Sequence, residues 1–94
     1  MSSSQPSAWQ DLVGQVVVLD LSSPFVCIGT LGEAAADFVV LTDADVHDLR
    51  DTSLTREQYV VKSRQYGPIV NRRRAWISIR DVIAIARLED VNLD

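Results

Sequence analysis

Apolar residues along this chain repeat with two different periods, and each period predicts a different kind of element. Near the N-terminus they recur at helical spacing, at Ala8, Trp9, Leu12 and Val13. This spacing predicts a short helix, with Ser4 or Gln5 at its cap, Pro6 in its first turn and Gly14 at its end. Three runs rich in β-branched residues follow. They predict strands over residues 15–21, 25–31 and 37–42, and an extension of the third strand to Val46 stays open.

The second half of the chain begins with a polar, acidic segment and then returns to a helical pattern. Thr55 and Gln58 have the spacing of a capping box, which predicts a helix that runs to about Tyr66 and ends at Gly67-Pro68. Its apolar stripe is weak, so we expect this helix to lie on the surface rather than to form part of the core.

Two further strands are predicted near the C-terminus, over residues 75–79 and 82–88. Alternation places Ile77 and Ile79 on one face of strand four, and Ile83 and Ile85 on one face of strand five. The linker between the two strands is Arg80-Asp81, which is very short and is not the Asn-Gly type that two-residue hairpins prefer. We therefore expect a sharply bent corner there instead of a flat hairpin.

Together these elements predict a mainly β fold. Five short strands in so small a domain favour a strongly bent antiparallel sheet of the small-barrel type, with a short N-terminal helix and a helical insertion between strands three and four. Gly29, inside strand two, predicts a bulge or bend where such a sheet curves. A chain of 94 residues accommodates one domain, here residues 6–90 with the insertion at about 47–70, and residues 1–5 are expected to be a disordered tail.

Composition excludes several classes of protein. No apolar run approaches the roughly 20 residues that a membrane-spanning helix needs. Cys27 lies in an apolar run and has no second cysteine to pair with, so we expect a core side chain in a reducing, cytoplasmic setting. The sequence holds no nucleophile motif, phosphate loop or Cys-His pairing. We therefore expect a protein that is not an enzyme and needs no cofactor.

The charges are strongly segregated although the net charge is only −4. Residues 1–49 stand at −7, residues 50–87 at +6 and residues 88–94 at −3. A split of this kind can make a local positive face for nucleic acid, or it can provide complementary charge between neighbouring subunits. Arg72 and Arg74 are candidates for phosphate contacts, and in an extended strand Arg73 would point to the opposite side.

Three segments in this order and spacing resemble the Sm/LSm family. Leu12-Val13-Gly14-Gln15-Val16-Val17-Val18 is similar to the family's entry into its first strand. Ile28-Gly29-Thr30-Leu31, followed by residues 37–44, resembles its first motif. Residues 76–85 resemble its second motif, in which an Ile-Arg-Gly step makes the tight turn. The resemblance covers about residues 8–88 and suggests a divergent member of bacterial or phage type.

The resemblance implies an Sm-like homo-oligomeric ring, of about five to seven subunits, in which strand four of one subunit pairs with strand five of the next. It also implies that RNA or single-stranded nucleic acid is a partner. Phe38 matches the base-stacking position and Arg80 the base-contacting arginine, whereas Asp37 or Val40, depending on the alignment, lies nearest to the position of the uridine-binding asparagine. The family's uridine-binding asparagine has no counterpart, and Asp81 replaces the usual glycine. A protein-interaction ring scaffold without nucleic-acid binding is the alternative.

One weaker hypothesis concerns a metal site. Asp43, Asp45 and His47 would share one face of an extended chain, and their side chains are suitable ligands for zinc or manganese. No second histidine or accessible cysteine completes the set, so a solvated acidic edge is the simpler interpretation and no metal is expected.

Overall fold

The computed structural model describes residues 7–34 and 36–93 and has the predicted mainly β fold. The elements are α1 (Ser7–Leu12), β1 (Val16–Leu21), β2 (Phe25–Leu31), β3 (Phe38–Asp48), α2 (Arg56–Tyr66), β4 (Arg72–Ser78) and β5 (Val82–Arg87). The strands form one antiparallel sheet in the order β4-β3-β2-β1-β5. The predicted tail and helix cap, residues 1–6, lie outside the described residues.

The inner face of the sheet carries the main core. Alternate residues of each strand point into it, and Val17, Leu19, Cys27, Leu31, Val39 and Leu41 are almost completely buried there. Trp9 and Leu12 of α1 pack against this cluster, which confirms that the helical spacing marks a docked face. Gly14 ends the helix with φ +87, a conformation that glycine adopts without steric cost, and its N–H donates to the Leu31 carbonyl at 2.8 Å.

The bend that Gly29 predicts lies in the β2–β3 ladder. Ile28 pairs with Asp45 and Thr30 with Thr42, so that β3 has one extra residue across from Gly29. A Cβ at Gly29 would lie 3.1 Å from the Ala44 Cα and the Thr42 oxygen, so these backbone atoms would have to shift to accept a side chain. Asp43 adopts φ +50 at this bulge. The bulge bends β3. Beyond it, the strand continues past Val46 to Asp48.

The prediction that the insertion helix lies on the surface outside the core is wrong. α2 packs on the outer face of the sheet and builds a second core of Val18, Val26, Ile28, Val60 and Leu88. Val60 is 6% exposed and is the helix's buried apolar residue in this cluster, against which Tyr59 also packs. The capping box is present as predicted, with Thr55 accepting from the Gln58 N–H and the Gln58 side chain accepting from the Thr55 N–H.

The short connection between the last two strands is a single 3-10 turn over Ile79–Asp81. Because β4 and β5 lie at opposite edges of the sheet, the prediction of a corner instead of a hairpin is confirmed. Asp81 is accommodated where the resemblance would place glycine, since it keeps a negative φ, and its carbonyl accepts from the Ser22 N–H at 2.8 Å. Ile83 lies at an irregularity of the β1–β5 ladder and is 67% exposed. The prediction that it shares a face with Ile85 is therefore wrong.

Candidate nucleic-acid interface

Three of the five predicted nucleic-acid residues meet at one end of the sheet. Phe38 begins β3 opposite Ser78, the last residue of β4. The Ile79 N–H donates to the Asp37 carbonyl at 2.9 Å, which fixes the 3-10 turn that carries Arg80 against the loop that carries Asp37. All three side chains are exposed, and that of Phe38 is 45% accessible. An aromatic ring, a carboxylate and a guanidinium are thus presented together by two backbone segments tied to each other.

Arg72 and Arg74 lie in the first half of β4, at the opposite end of this strand from Ser78. Their partners on β3 are Ala44 and Thr42. At about 3.3 Å per residue, Arg74 is roughly 13 Å along the strand from Ser78, so it cannot share one small pocket with Phe38. The predicted residues therefore form two groups along β4, with Trp76 between them.

Trp76 belongs to this surface although the predicted set of site residues leaves it out. It is 58% exposed, and the Arg74 guanidinium lies 5.9 Å from the centre of its ring. Two residues that are two positions apart in a strand point to the same face, so the spacing of Arg74 and Trp76 already indicated that these side chains lie together. Position alone does not distinguish such a tryptophan from a core residue, because the neighbouring Ile77 packs inward.

The three weak metal candidates do not form a common site. Asp43 is exposed at the bulge, whereas Asp45 is buried and His47 half-buried beneath α2. Asp45 accepts hydrogen bonds from the Tyr59 hydroxyl and from Asn71 Nδ2. Among residues 7–34 and 36–93, no three His, Cys, Asp or Glu side chains are grouped as a metal site.

The polar cluster beneath α2 instead has a structural role. We call it the clasp and define it as Asp45, His47, Tyr59 and Asn71. The His47 ring stacks on Tyr59 with centroids 4.1 Å apart and an angle of 12° between the planes. Asn71 Oδ1 also accepts from the Val46 N–H, and Asn71 Nδ2 donates to the Val46 carbonyl, at 3.0 Å each. Burial, the hydrogen bond to Asp45 and the charge of Asp45 raise the pKa of Tyr59, so this hydroxyl stays a donor. Sequence reasoning missed the pairing because Asp45 and Asn71 are 26 residues apart.

Cys27 is packed in the inner core and is fully buried. Burial, and secondly the charge of Asp45, raise the pKa of its thiol to about 11. Because the thiolate is the nucleophilic form, this thiol is not poised for chemistry.

Two cavities flank α2 and lie away from the predicted residues. One, of about 340 Å³, is lined by Gln15, Val16, Arg64, Leu88 and Glu89. The other, of about 240 Å³, lies between α2 and the segment before it and includes Leu54, Tyr66 and Ile69. Neither is lined by Asp37, Phe38 or Arg80. No helix in the described part of the chain is long and apolar enough to cross a membrane.

Comparison with known structures shows that the fold is Sm-like. The chain is similar to an Sm protein of Pyrococcus abyssii in complex with a uridine heptamer (TM-score 0.59, 21% identity, covering 88% of this chain and 97% of that one). It is also similar to an Sm-like protein of Archaeoglobus fulgidus (TM-score 0.57, 12% identity, 93% and 99% covered). A chain of the NatC complex bound to CoA is a further match (TM-score 0.54, 15% identity, 97% and 94% covered). No family model and no curated protein matches the sequence.

Proposed function

Given this Sm-like fold, we propose that the chain is a non-catalytic subunit of a homo-oligomeric ring that binds RNA or single-stranded nucleic acid. The observation that carries the proposal is the pair of edge strands at the two ends of the sheet. β4 has β3 on one side and β5 has β1 on one side, and no other described strand pairs with either. Unpaired edges attract a further strand, and each copy offers two of them.

Charge favours pairing β4 of one copy with β5 of the next. In an antiparallel pair, the beginning of β4 lies opposite the end of β5. This arrangement brings Arg73 close to Glu89 and Asp90 of the next copy, while Arg72 and Arg74 point to the other side of β4. Within one chain Glu89 and Asp90 already contact Arg87, at 3.3 and 2.9 Å, so the acidic end carries a net negative charge toward a neighbour.

The nucleic-acid part of the proposal is supported by the group at the start of β3. Exposed Phe38 offers a ring on which a base can stack, and Arg80 has no ion-pair partner among the described residues. The P. abyssii protein with the same fold was solved with a uridine heptamer, which makes oligo-uridine the first ligand to test.

The first experiment is the native mass by light scattering, with and without oligo-uridine at low salt. A mass of about five to seven subunits that rises with oligonucleotide is the expected result. A monomer contradicts the ring, and an unchanged mass at low salt contradicts the nucleic-acid part, since phosphate contacts are strongest there. R80Q is the site variant, and R50Q is a matched control because Arg50 is bonded to Asp48 away from the site.

The second candidate is a ring scaffold that binds protein and no nucleic acid. The segregated charges favour it, and a chain of similar fold is present in the NatC complex. In this case all basic residues of β4 serve subunit pairing. Raising the salt from about 0.05 to 1 M would then lower the native mass, because charge pairs at the surface are screened, while oligo-uridine would leave the mass unchanged at every salt concentration.

A further inference from the structure

The outer face of the sheet is covered over one part and open over another. α2 covers the outward residues of β1, β2 and the second half of β3, including Val18, Val26 and Ile28. The first half of β3 and all of β4 stay uncovered. We call this open surface the β3–β4 outer face and define it as Phe38, Val40, Thr42, Arg74, Trp76 and Ser78.

The register of the two strands shows that these six side chains share one side. Val39 and Leu41 point into the inner core, as do Ala75 and Ile77, so the residues between them point outward. Phe38 pairs with Ser78, Val40 with Trp76, and Thr42 with Arg74. Phe38 and Trp76 are therefore diagonal neighbours, about 7–8 Å apart at their Cα atoms, a separation that aromatic side chains can span.

Exposed aromatic rings leave apolar surface in contact with water, which is unfavourable in free energy unless a partner covers them. Phe38 is 45% and Trp76 58% exposed, and the guanidinium of Arg74 lies 5.9 Å from the Trp76 ring centre. No described acidic side chain pairs with Arg74 or with Arg72. Aromatic rings followed by unneutralised arginines suit a polyanion that also carries flat apolar groups.

We propose that the β3–β4 outer face is a base-stacking track for single-stranded nucleic acid. A base at Phe38 and Arg80 is followed by a base on Trp76, with Arg74 at the adjoining phosphate and Arg72 further along the strand. The proposal extends the binding suggested above and rests on it. It adds Trp76 as the second stacking ring and gives the bound strand a direction along β4.

The track stays open if neighbouring copies pair through β4 and β5. The outward residues of β5 are Ala84 and Ala86, since they pair with Asp20 and the outward-facing Val18. Both alanines are exposed and too small to cover an indole ring beside them. A strand added at this edge therefore extends the floor of the track and leaves Trp76 accessible.

Binding of 5′-labelled oligo-uridine, followed by fluorescence anisotropy, tests the track through W76A. The matched control is I69A, which also removes an exposed apolar side chain, 77% accessible, but from the segment between α2 and β4, outside both edge strands. We expect W76A to weaken binding of a ten-nucleotide strand about 5- to 150-fold, the loss that corresponds to one stacked base. W76F should keep most of the affinity, and I69A should match the wild type.

A second pair of variants tests the phosphate contact. Arg74 lies on the track, whereas Arg50 is bonded to Asp48 away from both the track and the edge strands. R74Q should reduce the slope of log affinity against log salt by about 0.7, the value for one phosphate on a single strand. R50Q should leave that slope unchanged, and equal slopes for the two variants would overturn the assignment.

The outcomes separate the track from the function on which it rests. If wild-type protein binds no oligonucleotide, both proposals fail. If F38A and R80Q weaken binding while W76A behaves as I69A does, the track fails and the first site stands. If W76A lowers the native mass as well as the affinity, Trp76 is covered by a second copy, and the track is overturned.

Discussion

Removal of one hydroxyl should test how the insertion helix is held. The Tyr59 hydroxyl donates to Asp45, whose side chain is 1% exposed and has Asn71 Nδ2 at 3.3 Å as its other side-chain donor. In Y59F the ring that stacks on His47 remains, and only the donor is lost. One oxygen of a buried carboxyl group is then left without its partner. Such a loss costs about 1–3 kcal/mol.

Urea unfolding gives this cost directly. For a domain of this size the slope of the free energy of unfolding is about 1 kcal/mol per molar urea, so the midpoint should fall by about 1–3 M. Y66F is the matched control, because Tyr66 lies in the same helix and is 78% exposed. All variants need the same protein concentration, since self-association stabilises the folded state by mass action.

The expected result is a lower midpoint for Y59F and an unchanged one for Y66F. A double-mutant cycle with D45N should show a coupling of at least about 0.5 kcal/mol between the two positions. If Y59F and Y66F have equal midpoints, the hydroxyl does not support Asp45 and the clasp is refuted. A loss of stability in Y59F with no coupling to Asp45 would also refute this explanation.

Three further predictions concern packing and pH. V60A should cost about 1.5–3 kcal/mol, because Val60 provides the apolar anchor of α2, and hydrogen exchange should show the amides of residues 56–66 losing protection before those of the sheet. G29A should cost about 1–3 kcal/mol in urea unfolding, since its Cβ would lie 3.1 Å from Ala44, whereas G32A, with 3.3 Å to its nearest neighbour, should cost less. The pKa of Cys27 is raised to about 11 from 9.0, so its contribution to stability is complete below pH about 9 and is lost as pH rises through 11. Urea midpoints at pH 8, 9.5 and 10.5 should therefore fall less steeply for C27A, and parallel curves would contradict the assignment.

Local chemistry made much of the fold predictable. Runs of β-branched, aromatic and other apolar residues predict the existence of all five strands, because such side chains favour a pleated backbone wherever it packs, although β4 begins at Arg72, before its apolar residues. The capping box at Thr55 and Gln58 and the stop at Gly67 depend on residues within one turn, and both occur as predicted. The sharp corner at residues 79–81 was also predictable, because Arg80-Asp81 is not a turn sequence that two-residue hairpins prefer.

The candidate site was predictable only in part. Phe38 and Arg80 were identified through the family resemblance, and the structure brings the segments that carry them together through the bond from Ile79 to Asp37. The place of Trp76 beside Phe38 depends on the register of β3 against β4, which no local pattern specifies. A shift of one residue would turn the indole to the inner face.

The sequence by itself determined the kind and order of the elements, and how the charges divide between the two halves, whereas β3 runs further than predicted, to Asp48, and β4 begins earlier, at Arg72. The tertiary structure alone decided that the acidic segment holds a buried Asp45, that a weakly amphipathic helix completes a second core, and that the β3–β4 outer face stays open. The physical reason is the sequence separation over which each kind of interaction acts. Caps, turns and strand preference involve residues a few positions apart, whereas burial is shared between residues such as Asp45 and Asn71, which are 26 positions apart and meet only when the chain has folded.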